Sequence, residues 1–481
     1  MNYLIGVDIG TTNVKAIALD DKGKLLAAAG RPTRTFSPFP GAAEQQPAAL
    51  LNLVILVVRQ VNEACPKSAK IAGLVFSGAM HSLLAVDKMG APLTNAWLWS
   101  DLRSVEFSDA LRDTETGRSI YRNTGTPIHP MSPLLKLIWM RLHRPGIFEN
   151  AGTFLGIKDF ILQQLLSEYV CDASVASASG LLNTRSGQWD ALALQTAAIG
   201  AGRLPRVVSP GQPFPLPASA AALLGLPAGL PLLPGASDGA LANIGSGAIE
   251  PDTLAVTIGT SAALRMTLNE PLTDPGMRTF CYRLDDRRFV AGGASNNGSN
   301  TLDWLRKQVL QTRIDTAKLL EQAGRITPGS DDLLFVPYLY GERAPVWDAR
   351  ATGIFQGLRA EHGRAHFIRA AAEGVVFNLK LIAGSLAPAK KAERIALSGG
   401  AAKSPLWRQV LANVFQKPVL LPADDQVDAS ARGAVILARA ALGLPPVPGQ
   451  KLVESAVPDP QNVEKYAVSF QRFAQLCALK I

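Results

Sequence analysis

Asp8-Ile9-Gly10-Thr11-Thr12-Asn13-Val14-Lys15 near the N-terminus and Thr257-Ile258-Gly259-Thr260-Ser261 in mid-chain share one pattern. Each ends an apolar run, passes through a glycine and two hydroxyl residues, and opens on a second apolar run. That is the signature of a strand, a tight turn and a returning strand. Gly10 and Gly259 stand 249 residues apart in a chain of 481. One hairpin type opening each half predicts a duplicated two-domain protein, because solenoid repeats recur every 20 to 50 residues or so. Gly, Ser and Pro gather at 246–251, which divides the chain into an N-terminal domain over 1–247 and a C-terminal domain over 248–481.

Working outward, strands are expected at 4–9, 14–19 and 24–29, then a helix over 47–64. Strands at 71–76 and 83–86 flank a Ser77-Gly78-Ala79-Met80-His81 loop, and 134–166 reads as helical. Residues 204–234 are rich in Pro, Ala and Gly and read as loop with short elements, leading to Gly235-Ala236-Ser237-Asp238-Gly239 and a helix from about 240. The second half offers helices at 301–309 and 364–383 and a strand at 394–397 running into Ser398-Gly399-Gly400-Ala401. Helices follow at 406–415, 429–442 and after 461; Ala431, Gly433 and Ala434 would let backbones approach closely.

Composition narrows the function classes. Hydrophobic residues make up 47% and charged residues 18%, which excludes a disordered or fibrous chain and predicts an α/β globular protein. The net charge of +9 is scattered, and its densest spots, Arg287-Arg288 and Lys390-Lys391, are flanked by acids. No basic run with interleaved aromatics suggests a nucleic-acid partner. Cys65, Cys171, Cys281 and Cys477 form no paired motif, and a reduced, cytoplasmic setting is expected. The N-terminus reads at once as a strand, without a charged and apolar leader pattern, so no signal peptide is expected. The longest apolar stretch, 50–58, falls short of the roughly 20 residues needed to span a bilayer, so no membrane partner is expected.

A Gly-Thr-Thr turn presents bare N–H groups and hydroxyls in a small space, a nest suited to phosphate oxygens. One such turn is an ordinary hairpin; two, one per half, suggest a polyphosphate clamped between domains. Asp8 could hold Mg²⁺ beside those phosphates, and Lys15 could reach one of them. Gly399-Gly400, between a strand and a helix, would let a nucleotide lie flat on the backbone. Asp238 is either a helix N-cap or a general base. Phosphoryl transfer to an alcohol needs a positioned carboxylate, a metal and phosphate cradles, and the chain supplies each.

These segments together resemble the FGGY family of carbohydrate kinases, in the actin-like ATPase superfamily. Residues 8–15 resemble its first phosphate motif, 257–261 the second, 397–405 the adenosine motif, and 235–239 the segment that carries the catalytic aspartate, here Asp238. Residues 353–358 with His366, Phe367 and Glu373 resemble the family signature. The resemblance implies a two-domain, ribonuclease H-like fold with a central cleft and ATP with Mg²⁺ as cofactors. It assigns Gly10, Thr11, Thr12, Asn13, Lys15, Gly259, Thr260, Ser261, Gly298, Gly399, Gly400 and Ala401 to the nucleotide, and Asp8 and Asp238 to the metal. Met80, His81, Trp99, His129, Met131 and Asp238 are assigned to the sugar. Met80-His81 is similar to xylulose kinases; Gly125-Thr126-Pro127-Ile128-His129-Pro130-Met131-Ser132-Pro133 looks like the gluconate kinases. D-Gluconate is therefore the first expectation and xylulose the second, with a non-sugar actin-like ATPase as the remote one. A gluconate carboxylate needs cations or N–H donors, for which His129, Arg122 and Lys158 are candidates. A homodimer is admitted.

Overall fold

The computed structural model describes residues 1–423, 427–447 and 451–478. The predicted duplication appears as two sheets of matching topology. In the first, β1 (Asn2–Ile9), β2 (Asn13–Asp20) and β3 (Leu25–Pro32) form the antiparallel meander. Next, β4 (Lys70–Gly78) and β6 (Pro231–Ser237) add in parallel on the other side of β1, and β5 (Phe214–Pro215) closes the edge. The order is β5-β6-β4-β1-β2-β3.

The second sheet repeats the scheme. β7 (Thr253–Ile258) and β8 (Ala262–Leu268) pair through the Gly259 turn, β9 (Phe280–Arg283) and β10 (Phe289–Ser295) extend the antiparallel side. β11 (Arg394–Ser398) and β12 (Val419–Pro422) continue in parallel from β7, and β13 (Leu452–Ala456) closes antiparallel. The order is β9-β10-β8-β7-β11-β12-β13. β1 thus corresponds to β7, β2 to β8, β4 to β11 and β6 to β12.

β1 shows why these strands read as near-continuous apolar runs: both faces are covered. Tyr3, Ile5, Val7 and Ile9 join the core with Val54, Val57 and Val58 of α1 (Pro47–Ala64), while Leu4 packs in a second cluster with Ala431 and Val435. α1 is long and apolar enough to cross a membrane by length and composition, yet Leu50, Val54, Val57, Val58 and Val61 are buried in the protein.

The expected helical region at 134–166 is broken. α2 (Pro133–His143) and a short helix (Pro145–Asn150) are followed by a strand, Thr153–Leu155, paired with Leu84–Val86, before α3 (Ile157–Leu166). Pro145 and the Gly152 turn interrupt the helical period. α4 (Asp238–Gly245), α5 (Arg364–Gly384), α6 (Pro405–Phe415) and α7 (Ala429–Ala441) lie where expected. α7 belongs to the second half yet packs on α4 and on β1. A Cβ at Gly245 would stand 1.9 Å from the Ala429 carbonyl oxygen, and one at Gly433 1.9 Å from that of Leu241. Backbone meets backbone at this crossing, as the small residues predicted.

Candidate active site

The first hairpin turn is built to leave donors free. Gly10 N–H donates to Asn13 O at 3.0 Å. The carbonyls of Thr11 and Thr12 are taken up by Thr33 and Gln45, through Thr33 Oγ1 at 2.6 Å, Gln45 Nε2 at 2.7 Å and Thr33 N at 2.9 Å. Among the described residues the N–H groups of Thr11 and Thr12 have no hydrogen-bond partner. The second turn closes with Gly259 N–H on Ser261 O at 2.9 Å. Here three of the assigned glycines converge. A Cβ at Gly298 would fall 2.6 Å from Gly259 O, and one at Gly399 would fall 2.6 Å from Ile258 O. Only glycines allow that approach.

Between the halves lies a cleft of about 1190 Å³. Asn13 and Lys15 line it from the first half, and Thr257, Ser398, Gly399 and Gly400 from the second. Ala401 is buried in the core instead, while Ala402 faces the cleft. A 3₁₀ turn over Gly400–Lys403 follows Gly399, and the helix expected at 406–415 starts at Pro405. Gly10 and Thr11 share a separate small cavity with Met80 and Trp99, so the first glycine turn and the expected sugar loops adjoin.

Asp8 ends β1 under this turn. Its Oδ2 lies 3.5 Å from the position of a Gly10 Cβ, and Ser77 Oγ donates to its Oδ1 at 2.7 Å. Burial, reinforced by the carboxylates of Asp428 and Asp238, pushes its pKa up to about 7. Asp238 is the first residue of α4, and Ser237 holds the N-cap position, which corrects the N-cap alternative. Its Oδ1 accepts from Gly239 N at 2.6 Å. Burial raises its pKa, opposed by the Arg265 guanidinium.

The end of β6 is firmly held. Gly235 has φ +65°, and a Cβ there would strike Phe76 O at 1.7 Å. Lys158 Nζ donates to Ala236 O at 2.9 Å and pairs with Asp172 at 2.7 Å, both side chains fully buried. Ser174 Oγ and Ser237 Oγ lie 3.0 Å apart. Lys158 is therefore committed beneath Asp238 rather than offered to a sugar. Arg122 is corrected too: it pairs with Glu115 on an exposed helix face.

The loops expected to meet a sugar carry neutral imidazoles. His81 has φ +67° and directs Nδ1 to Ala178 O at 2.7 Å. Burial lowers its pKa to about 3, and a carbonyl only accepts, so Nδ1 bears the proton and Nε2 is an acceptor. His129 is reversed. Its Nδ1 accepts from Met131 N at 3.2 Å, which leaves the proton on Nε2, and burial puts its pKa well below the ordinary value. Of the two expected roles, cation or N–H donor, His129 is thus left with that of a neutral donor. Met131 sits in the core of the second half, 2% exposed. Lys136, fully buried, ties the loops together by donating to His81 O and Leu98 O, each at 2.6 Å.

Several residues were missed in the sequence. Arg265 on β8 lies against Gly239 and acts on Asp238. Arg343 sets its guanidinium 4.7 Å over the Trp99 ring. Asp428 pairs with Lys15. A lone arginine within the apolar run Ala262-Ala263-Leu264-Arg265-Met266 was a signal open to reading. Glu373, in the signature segment, is structural: it accepts from Arg369, Tyr466 and Ser330.

Comparison with known proteins agrees with this architecture. The FGGY family of carbohydrate kinases matches through its N-terminal domain over residues 3–245 and its C-terminal domain over 254–442. A gluconokinase of Bacillus subtilis (strain 168) is 38% identical over 454 residues, covering 92% of this chain and 88% of that protein. The crystal structure of a gluconate kinase from Lactobacillus acidophilus superimposes with a TM-score of 0.93 at 32% identity, covering 99% of this chain and 97% of the other. That of a ligand-bound xylulose kinase from the same organism also reaches 0.93 at 32%, covering 99% and 98%.

Proposed function

Because the chain belongs to the FGGY family of carbohydrate kinases, we propose that it transfers the γ-phosphoryl group of ATP to D-gluconate, giving 6-phosphogluconate and ADP. The observation that carries the choice of acceptor is the 38% identity to a gluconokinase over 92% of the chain. Xylulose is the second reading, favoured by the equal likeness to a xylulose kinase structure.

In this reading the polyphosphate lies across the N–H groups of the two turns, with Lys15 on one phosphate and the adenosine against Gly399-Gly400. The acceptor chain runs through the Met80, His81 and Trp99 loops to Asp238. The terminal hydroxyl oxygen attacks the γ-phosphorus, the bond to the β-phosphate oxygen breaks, and the hydroxyl proton passes to Asp238. Arg265 favours the ionised carboxylate that this step requires. Asp8 and Asp238 are hard oxygen donors of the kind Mg²⁺ takes, and no cluster of three His, Cys, Asp or Glu ligands occurs among the described residues. Two carboxylates with phosphate oxygens and water would complete its shell, and the ion would neutralise phosphate charge there. The partition at 247/248 belongs to this reading, supported by the end of α4 at Gly245 and the start of β7 at Thr253. So does a cytoplasmic setting, where ATP and sugar acids meet.

The test is ADP release from purified protein over a panel of gluconate, xylulose, sorbitol and no sugar. Gluconate is expected to give the highest kcat/KM. A higher value for xylulose would transfer the assignment to the second reading, and sugar-independent turnover would remove both.

A further inference from the structure

A sugar acid brings a carboxylate, and none of the three first-half candidates is a free cation for it: His129 is neutral, Arg122 faces outward and Lys158 is paired with Asp172. We propose that the second half receives the acceptor's carboxylate, through the Tyr282 hydroxyl and the Arg343 guanidinium. This rests on the acceptor assigned above and extends it to the group that selects an acid over a neutral polyol.

Tyr282 lies on β9, 2% exposed, stacked on Phe280 with ring centroids 4.5 Å apart. Its ring meets His81 edge-on at 5.8 Å, which places it against the loop from the first half. Its hydroxyl is buried and has no hydrogen-bond partner among the described residues. Buried hydroxyls are ordinarily satisfied, so an orphan beside a substrate loop marks the place of a ligand atom. Burial holds the phenol protonated, hence a donor.

Arg343 is presented rather than loose. Its Nε donates to Asn296 Oδ1 at 2.9 Å and its Nη2 to Ser295 O at 3.2 Å. The preceding residue, Glu342, is fully buried and accepts from Ser295 Oγ at 2.6 Å, Asn296 N at 2.9 Å and Arg343 N at 2.7 Å, which locks the loop. With Nε and one Nη2 proton used, Nη1 makes no hydrogen bond among the described residues. The guanidinium lies 4.7 Å over the Trp99 ring, which places it at the acceptor loops.

The chamber is therefore polar. Asp238 and Arg265 sit where a hydroxyl is to be phosphorylated. Arg343, over the Trp99 ring, and Tyr282, against His81, add donors to the acceptor loops. A sugar acid, with a hydroxyl for the base and a carboxylate for these donors, matches that set, and guanidinium with phenol is a strong donor pair for a carboxylate.

The experiment compares kcat/KM for gluconate and for sorbitol in wild type, Arg343→Gln and Tyr282→Phe, with thermal melting as a check of folding. Arg343→Gln is expected to lower the gluconate value about 10- to 100-fold, and Tyr282→Phe about 2- to 10-fold, with sorbitol nearly unchanged, so that the preference collapses. Equal losses on both substrates, or an unchanged preference in a folded variant, would overturn the assignment. Tyr282→Phe removes a single oxygen and decides alone if Arg343→Gln fails to fold. If wild type does not prefer gluconate to sorbitol, the acceptor reading falls and this site with it; if it does and both variants keep that preference, this site alone falls.

Discussion

Lys15 Nζ lies 2.8 Å from Asp428 Oδ2, tying the first phosphate hairpin to the N-terminus of α7 on the other half. Asp428 also caps α7, its Oδ1 accepting from Ser430 N and Ala431 N at 3.1 Å each. Burial works against the Lys15 charge, but Asp428 holds its pKa above the ordinary value. The ammonium is thus kept charged in the cleft by a partner that, in the proposed reading, a phosphate would replace.

Lys15→Ala is accordingly expected to raise the KM for ATP about 10- to 100-fold, the scale of one charge-assisted hydrogen bond, with the KM for sugar little changed. Steady-state kinetics with each substrate varied in turn reads this directly. A matching rise in both constants would mean that Lys15 shapes the protein rather than the nucleotide site.

Asp238→Asn keeps the shape of the side chain and removes the proton acceptor. Turnover should fall by roughly 10² or more while the melting temperature holds or rises. A folded variant with near wild-type kcat would assign the base elsewhere.

The raised pKa of Asp8 makes a statement about stability. The unfolded chain ionises this group near 3.8 and the folded chain near 7. Its contribution to the ligand-free protein is fully present below the first value and is lost as pH climbs through the second. Asp8→Asn removes that loss, so the variant should melt higher than wild type at pH 8, on the order of 5 °C, with the gap narrowing at pH 5. It should also be inactive, trading a functional carboxylate for stability. Identical melting temperatures at both pH values would contradict the burial argument.

The second turn offers a cleaner probe of the phosphate clamp than the first. A Cβ at Gly10 would press on Asn13 O at 2.9 Å, whereas one at Gly259 meets nothing nearer than Ser261 O at 4.0 Å. Gly259→Val should therefore fold and weaken MgATP binding by about 10-fold or more while sugar binding persists. Calorimetric titration with a non-hydrolysable analogue would show it; unaltered affinity would remove the turn from the site.

What the sequence revealed and what it hid follow from the range of the interactions. The strand-turn-strand repeat is local, so the fold and the Gly10, Gly259 and Gly399 turns could be read directly. Asp238 was legible because its glycine-flanked segment signals a strand end meeting a helix start. Arg265, Arg343, Tyr282 and Asp428 act across halves, on partners up to hundreds of residues away, and no periodicity reports that. That Lys158 is not free for a sugar was hidden for the same reason: its partner Asp172 is one that only the folded chain brings near. The neutrality of His129 likewise comes from burial. The helical region at 134–166 is interrupted because the pairing of Thr153–Leu155 with Leu84–Val86 outweighs local propensity.

The crossing of α4 and α7 at Gly245 and Gly433 has a mechanical corollary. Helices that meet through interlocked side chains behave like gears, and turning one past the other requires the teeth to unmesh. Here the contact surfaces are backbone, with the Ala429 and Leu241 carbonyls where teeth would be. The crossing point is therefore smooth, and the grip is left to Leu241, Ile244, Val435 and Leu437 beside it. A side chain added at either glycine would act as a shim, forcing the two helices apart by its thickness without any change in the chemistry of the cleft.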